Sequence, residues 1–283
     1  IVTFNKHIGY VSSFMIWCVT HGYSHVNPFK GMKLRIKKHD REGRDRFSEQ
    51  ELKEIFNRGN FIHFTNVESG NHFHNYFVPL IGVFTGMRMN EICSLYLDNI
   101  IERKGNHREK RWCFNICEEK HRPDKKLKTQ SSRRIIPIHD SLIELGLIEL
   151  VELLKKRQIG RDRLFRELKY GENGYTRNVS YFFGQYLKKL RIKSEDRKLD
   201  FHSFRHTLID NLKQKGIDIS YINEYVGHKH GNIDFDRYGK GYNPDILYNK
   251  CVSKIVFETS HTRKIDFKVL RMNWEKIVPD KDW

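Results

Sequence analysis

The sequence predicts a mainly α-helical fold with a small antiparallel β-sheet, an α+β class. Apolar residues recur at helical spacing through most of the chain, as they do over 73–85, and this period indicates helices. The period changes between residues 99 and 138, where Trp, Phe and Ile alternate with polar residues. Two such segments on either side of a polar, basic stretch predict a small antiparallel sheet.

The composition is that of a folded, strongly basic protein. Lys and Arg number 52 against 35 Asp and Glu, which leaves a formal charge of +17 on 283 residues. The longest mostly apolar stretch, 76–87, is shorter than the about 20 residues that span a bilayer, so we expect no membrane association. A cation excess of this size favours a polyanionic partner, and nucleic acid is favoured because we find no long basic amphipathic helix.

The cysteines and the cofactor motifs point away from a metalloenzyme. Five cysteines are scattered through the sequence, and the only close pair, Cys113 and Cys117, lies in a strand-like segment without two further zinc ligands at suitable spacing. Neither a Walker-type phosphate loop nor His-Glu-x-x-His is present. We therefore expect reduced thiols, a cytoplasmic protein, no metal and no cofactor.

Two domains are expected, joined by a linker. Residues 1–29 contain a helical pattern that Gly22 and Pro28 end, and they are interpreted as the C-terminal part of a small helical domain. Because the sequence opens inside this helix, we expect it to be a fragment of a longer protein. Residues 30–46 carry eight basic and three acidic side chains with little apolar periodicity, which is typical of a linker.

The second domain is expected over 47–283, and 251–283 is its C-terminal tail. Ser48 and Glu51 have capping-box spacing at its start. Helices are predicted over 73–85, 90–97, 141–154, 178–190, 202–215 and 219–226, and strands over 99–117 and 133–138. The segment 103–134 holds twelve basic and four acidic residues, so the sheet and its hairpin carry much of the positive charge.

Short motifs carry the candidate chemistry. Arg88 follows Gly86, which permits a sharp turn at the end of a helix. His202 and Arg205 are three residues apart in His202-x-x-Arg205-His206 and share one helix face. Gly227-His228 ends a short helix, and Tyr238 lies ten residues later within Arg-Tyr-Gly.

This series, Arg, a hairpin Lys, His-x-x-Arg, Gly-His and Tyr, resembles the tyrosine recombinase or phage integrase family. The resemblance covers residues 46–283, and 1–29 resemble the end of that family's helical core-binding domain. It implies a site-specific recombinase that cleaves and rejoins DNA through a 3′-phosphotyrosyl intermediate, without metal or nucleotide. The implied catalytic residues are Arg88, Lys128, His202, Arg205, His228 and the nucleophile Tyr238.

Each implied role has a chemical reason. Two guanidinium groups, Arg88 and Arg205, suit the charge that develops on a phosphodiester under attack. His228 would donate a further hydrogen bond, and His202 would act as the base for the phenol. Lys128 best matches the hairpin Lys that protonates the leaving 5′-hydroxyl, while Lys125 and Lys126 remain alternatives. Tyr221 and Tyr225 are interpreted as core, and Tyr242 as a rival nucleophile to Tyr238.

Further residues are assigned supporting or DNA-contacting roles. Glu91 and His206 would brace the site. The expected phosphate contacts are Lys37, Lys38, Lys125, Lys126 and Arg133. The expected partner is double-stranded DNA, with self-association into a tetramer on two DNA sites if the tail packs on a neighbouring protomer, although its apolar residues could equally cover their own core.

The resemblance leaves two rival functions. A type IB topoisomerase uses similar residues to nick and reseal DNA without exchanging strands, and a catalytically silent DNA-binding regulator could use the same scaffold. Accessory DNA-bending or directionality proteins, and a bacterial or phage origin, belong to the same set of expectations.

Overall fold

The chain divides into two units, residues 1–43 and 44–283. A computed structural model describes residues 1–35, 45–105, 110–127, 132–157, 162–192, 197–228, 241–258 and 264–280. None of the helices within these ranges has the length and apolarity needed to cross a bilayer.

The first unit consists of one long helix and the segment that follows it. Helix α1 spans Val2–Thr20 and contains the predicted helical stretch. The chain after it turns at Gly22 and returns along the helix, where Asn5 exchanges two hydrogen bonds of 2.8 Å with the backbone of Leu34. Large side chains such as Phe14 and Trp17 remain about half exposed on α1.

The second unit is built around one buried helix. It begins with α2 (Glu49–Ile55), where Ser48 and Glu51 form the predicted capping box, followed by α3 (Arg58–Thr65). Helix α4 spans Phe73–Thr85, as predicted, and all its residues are buried. A helix that is apolar on every side needs neighbours all round, and α8 (Arg177–Lys189) and α9 (Ser203–Gln214) supply two of them.

The end of α4 determines where the next segment lies. Gly86 adopts φ +59°, and the Thr85 hydroxyl accepts a hydrogen bond from the Met87 backbone N–H at 3.2 Å. A Cβ atom on Gly86 would lie 3.1 Å from Leu208 and 3.4 Å from Arg205, both on α9. The turn therefore passes directly over α9 and leads into the short helix α5 (Met89–Cys93).

The small sheet is antiparallel, as predicted, with the strand order β1-β2-β3. The strands are β1 (Ile100–Lys104), β2 (Lys110–Ile116) and β3 (Arg134–Pro137). Phe114 lies opposite both Ile100 and Ile136, and these three side chains are buried. The predicted strand region 99–117 therefore contains two paired strands.

Further helices complete the unit. These are α6 (Asp140–Glu144), α7 (Leu147–Lys156), α10 (Ile219–Val226), α11 (Pro244–Lys250) and α12 (Trp274–Ile277). The prediction of one helix over 141–154 was wrong, because Gly146 adopts φ +86° and separates α6 from α7. A Cβ atom at Gly146 would collide with the indole of Trp274, so the break makes room for the tail.

The described part of the C-terminal tail covers its own core. Trp274 is fully buried, and its ring centroid lies 5.2 Å from that of Tyr76 and 5.0 Å from that of Phe77 on α4. Its indole N–H donates to the Leu145 carbonyl at 2.7 Å, and the Tyr76 hydroxyl donates to the Leu270 carbonyl at 2.7 Å. Of the two expectations for the tail, these contacts favour packing on the same chain.

Replacing Trp274 by Ala should lower the free energy of unfolding by about 3–5 kcal/mol, because it leaves a cavity against α4 and removes the indole hydrogen bond to the Leu145 carbonyl. Urea denaturation followed by circular dichroism measures this loss. Val269→Ala, an exposed position of the same tail, is the control and should change stability by less than about 0.5 kcal/mol. Equal stability of Trp274→Ala and the parent protein would contradict this packing.

Candidate functional site

The site is organised around one buried carboxylate that binds two guanidinium groups. Glu91 is buried on α5, and its Oε1 accepts a hydrogen bond from Arg88 Nη1 at 2.7 Å. Its Oε2 accepts one from Arg134 Nη2 at 3.0 Å. Burial by itself raises the pKa of Glu91, but the charges and hydrogen bonds of Arg134 and Arg88 outweigh it and hold the pKa below its usual value.

The turn after α4 aims Arg88 at this carboxylate. Arg88 is the residue before α5, and its backbone N–H also donates to Glu91 Oε2 at 3.1 Å. Its Nη1 donates in addition to the Ser132 hydroxyl at 2.8 Å, which ties α5 to the start of β3. About a quarter of the Arg88 side chain stays exposed. The guanidinium group is thus fixed on one side and open to solvent on the other.

Arg205 supplies a further cation and leaves one donor unused. It lies in the first turn of α9, is almost fully buried, and donates from Nη1 to the Gly86 carbonyl at 2.8 Å. Desolvation and the neighbouring Arg134 and Arg88 lower its pKa to about 10. Its Nη2 is buried without a hydrogen-bond partner among the described residues. A buried N–H group without a partner is uncommon in folded proteins and fits a place where an anion binds.

His228 lies beside these cations. It follows α10 at Gly227, which adopts φ +75°, and its backbone N–H donates to the Asn223 carbonyl at 2.9 Å. Desolvation, then Arg205, Arg88 and Arg134, lower the pKa of His228 to about 4. The imidazole is therefore neutral near pH 7 and carries an N–H that can donate to an anion without adding a positive charge.

Two further histidines lie on α9 and just before it. His202 and His206 are half-buried, and their ring centroids are 5.2 Å apart. The backbone N–H of His202 donates to Asp200 Oδ1 at 2.8 Å, which fixes the start of α9. The charge of His206 also contributes to the lowered pKa of His228, so His206 lies near the arginines, and the His202 ring is its neighbour.

The other predicted site residues divide into three groups. Tyr238, Lys128, Lys37 and Lys38 lie outside the described residues. Lys126 and Arg133 are exposed, as phosphate contacts require. Lys125 differs from the expected role, because it is buried, forms an ion pair with Glu119 and lies 3.4 Å from Cys117 Sγ. A lysine in this environment faces the protein and not a DNA backbone.

The segment before the hairpin tip is held by a cluster around Asp124. The Asp124 carboxylate accepts hydrogen bonds from the Tyr175 hydroxyl at 2.6 Å and from the Tyr96 hydroxyl at 2.9 Å. The guanidinium groups of Arg163 and Arg122 stack on the rings of Tyr175 and Tyr96, at 3.4 and 3.9 Å from the centroids. These contacts anchor the segment that leads to the predicted hairpin lysine.

Arg134 is the residue of this site that the sequence reasoning missed. It belongs to a doublet, Arg133-Arg134, within a strongly basic stretch, and only Arg133 was assigned a role. The alternation of side chains between the two faces of β3 could have distinguished Arg134 from Arg133. Arg134 shares a strand face with the buried Ile136, so its side chain points into the protein while Arg133 points out.

The cysteines are free and buried. Burial raises the pKa of Cys113 and of Cys251 to about 12. Within the ranges that the structure describes, no three His, Cys, Asp or Glu side chains are grouped as metal ligands.

Glu91→Gln should lower the free energy of unfolding by about 3–5 kcal/mol at pH 7, because the arginines lose their counter-charge in a buried site. The folded pKa of Glu91 is lowered, so its contribution is complete above the unfolded pKa of about 4.3 and disappears as the pH falls through the folded value. Denaturant titrations of both proteins between pH 3 and 7 measure the difference. Glu152→Gln, on the exposed face of α7, is the control, and a pH-independent difference for Glu91→Gln would contradict the ion pairing.

The chain resembles known proteins in sequence and in fold. A tyrosine recombinase XerC-like protein of Caldanaerobacter subterraneus subsp. tengcongensis is 26% identical over 246 residues, which cover 81% of this chain and 60% of that protein. The chain thus spans about 60% of the length of this curated relative.

Two solved structures share the fold. A lambda integrase dimer bound to a COC′ core site has a TM-score of 0.52 at 15% identity, over 82% of this chain and 73% of that one. The Tn1549 transposon integrase in complex with transposon right end DNA has a TM-score of 0.50 at 17% identity, over 86% of this chain and 76% of that one. At these identities the likeness shows the fold alone.

The sequence resemblance is confirmed by a family model. The model described as the phage integrase family matches residues 46–242, which contain the buried carboxylate, its arginines and His228. Because the match spans more than half of the sequence, the chain belongs to the phage integrase family.

Proposed function

We propose that this protein is a site-specific DNA recombinase, which cleaves and rejoins DNA strands through a covalent bond between Tyr238 and a 3′-phosphate. The observation that carries the proposal is the arrangement of Arg205, Arg88 and His228. A buried guanidinium N–H without a partner lies among these donors. Such a set suits a phosphodiester, whose non-bridging oxygens gain negative charge when the phosphorus is attacked.

The proposed cleavage step exchanges one phosphoester bond for another. The phenolic oxygen of Tyr238 bonds to phosphorus, and the bond to the 5′-oxygen of the next nucleotide breaks. The phenol's proton passes to His202 as the base, and the leaving oxygen takes a proton from the hairpin lysine. Attack by a 5′-hydroxyl reverses the exchange and releases Tyr238. Because each step replaces one phosphoester bond by another, the number of these bonds stays constant, and the strands rejoin without ATP or another nucleotide.

The arginines would stabilise the negative charge on the phosphate oxygens, as Mg²⁺ does in other phosphoryl-transfer enzymes. Arg88 is about a quarter exposed and is held on its other side by Glu91 and Ser132, so its exposed edge can reach a bound phosphate. Arg205 is held by the Gly86 carbonyl. Donors fixed before the substrate arrives need little reorganisation during the reaction. The proposal therefore includes neither metal nor cofactor.

Lys128 is proposed as the acid of the cleavage step, and Lys126 stays an alternative. Lys125 is dropped from that role, because its ammonium group is committed to Glu119 and is buried. The contacts of Asp124 with Tyr96 and Tyr175 support a fixed base for this hairpin.

The remaining parts of the proposal concern DNA and assembly. Residues 1–29 are proposed as the end of a core-binding domain, joined by the basic linker to the catalytic domain of 47–283. Lys37, Lys38, Lys126 and Arg133 would bind phosphates of duplex DNA, and Glu91 and His206 would brace the site. Recombination between two DNA sites would use a tetramer, with accessory proteins setting its direction, in the cytoplasm of a bacterium.

A covalent adduct tests the nucleophile. Incubation with a nicked DNA duplex that carries the recognition site should trap the protein on DNA, because the nicked fragment diffuses away before religation, and Tyr238→Phe should abolish this adduct. Denaturing gel electrophoresis detects it. Tyr242→Phe is the matched control, because Tyr242 lies four residues later and its hydroxyl bonds to Ser220 at 3.1 Å.

The outcomes of this experiment separate the rival functions. An adduct that persists in Tyr238→Phe would assign the nucleophile elsewhere. Nicking and relaxation of supercoiled DNA without strand exchange would favour a type IB topoisomerase. Absence of any adduct on a proper site, with binding retained, would favour a silent DNA-binding regulator.

Lys125 and Lys126 are neighbours, but we expect their substitution to change different properties, stability for Lys125 and DNA binding for Lys126. Lys126→Met should reduce the salt slope of DNA binding by about 1, because one phosphate contact is lost, and leave stability unchanged. Lys125→Met should lower stability by about 1–3 kcal/mol, because Glu119 loses its buried lysine partner and keeps Arg122, and leave the salt slope unchanged. Fluorescence anisotropy at several salt concentrations and urea denaturation measure the two effects. The reverse pattern would restore Lys125 as the DNA contact.

A further inference from the structure

We propose that Arg134 is a positioning residue, which holds the Gly227-His228 turn and the Arg88–Glu91 pair in one fixed arrangement around the start of β3. The inference rests on the proposed function, since the arrangement matters for the cleavage step. Nothing in the proposed chemistry requires Arg134 to touch the substrate.

The contacts of Arg134 join three separate segments. Its Nη2 donates to Glu91 on α5 at 3.0 Å, and its Nε donates to the Tyr225 carbonyl on α10 at 3.1 Å. Its Nη1 donates to the Ser132 carbonyl just before β3 at 2.7 Å. The side chain is only 4% exposed. A buried guanidinium group with partners on three segments fixes their spacing and is shielded from a phosphate.

The turn before His228 lies directly against this guanidinium group. Gly227 adopts φ +75°, and a Cβ atom there would lie 2.7 Å from Nη1 and 2.9 Å from Cζ of Arg134. The backbone can approach this closely only because residue 227 has no side chain. The turn at Gly227 therefore packs against the guanidinium group of Arg134, and this contact determines where His228 lies.

Ser132 gives the same segment a second link to the site. Its carbonyl accepts from Arg134, and its hydroxyl accepts from Arg88 at 2.8 Å. Both arginines also bind Glu91, on different oxygens. A shift of Arg134 would thus be transmitted to Arg88 through two routes and to His228 through a third.

The shape of the side chain is essential to this role. Arginine presents donors in a fixed planar fork, whereas the single ammonium of lysine cannot reach the Glu91 carboxylate, the Tyr225 carbonyl and the Ser132 carbonyl together. Arg134→Lys keeps the charge and removes the fork. Arg134→Gln removes both. Comparison of the two variants therefore separates the effect of position from that of charge.

The test is single-turnover cleavage of the nicked DNA substrate at saturating protein, with DNA affinity and thermal stability measured beside it. Arg134→Lys should form the Tyr238 adduct about 100-fold more slowly than the parent protein, because small displacements of reacting groups cost rates of this order. DNA affinity should change by less than about 3-fold, since the phosphate contacts on the surface are unaltered.

A matched control separates positioning from general stability. Arg157 also bonds to a carboxylate, Glu275 at 2.9 Å, and to a backbone carbonyl, that of Val278, but on α7 and the tail. Arg157→Gln should lower the melting temperature and leave the cleavage rate of the folded protein unchanged. If it slows cleavage as much as Arg134→Lys at equal folded fraction, the positioning role is overturned.

The imidazole resonances of His228 give a readout that does not depend on activity. Arg134 is one of the charges that lower the pKa of His228, so Arg134→Gln should raise that pKa toward its usual value in an NMR titration. Arg134→Lys should raise it less and still change the chemical shift of the ring, because the turn moves.

These outcomes distinguish the two proposals. If the parent protein forms an adduct and Arg134→Lys forms it equally fast, the positioning role is wrong and the recombinase function stands. If the parent protein forms none, the recombinase proposal fails, and the NMR titration decides on Arg134 alone. An unchanged His228 resonance and pKa in both variants would then overturn it.

Discussion

The site depends on one carboxylate that allows guanidinium groups to gather in a buried place. Arg88, Arg134 and Arg205 lie close together, and their positive charges would repel strongly if nothing offset them. Glu91 offsets part of it through bonds to Arg88 and Arg134, and its own ionised form is stabilised in return. Arg205 has no such bond among the described carboxylates, and burial, followed by the charges of Arg134 and Arg88, lowers its pKa, so positive charge remains in excess. That excess makes the site attractive to an anion.

The backbone turns are adapted to this charge cluster. Gly86 brings α4 against Arg205, and Gly227 brings the end of α10 against Arg134. Both glycines have positive φ, a backbone conformation that strains other residues. A side chain at either position would therefore be strained and would also crowd its neighbours. The buried helix α4 supports the first turn, and the core around α9 and α10 supports the second. The packing of the domain and the placing of its cations therefore depend on the same segments.

Much of this could be predicted from periodicity and motif order, and the failures have physical causes. Helices α4 and α10 agree with their predicted bounds, because apolar spacing and a terminal glycine are local signals. The break at Gly146 was missed because its cause, the Trp274 ring, lies far away in the sequence. Lys125 and Arg134 were also misjudged. In a basic stretch the cations look alike in composition. The pairing of Lys125 with Glu119 is visible only in the structure, whereas the strand face that Arg134 shares with Ile136 could have been recognised from alternation.

The contact between the tail and α4 also bears on how the protein is made. Tyr76 and Leu270 are 194 positions apart, so the ribosome synthesises α4 long before the segment that covers it. Until then the aromatic face of α4 lacks its indole neighbour and stays exposed to other apolar chains in the cell. Contacts over such long sequence separations also slow folding, because a large loop must close before they form. A nascent chain of this kind would depend on chaperones for longer than one whose core is completed early.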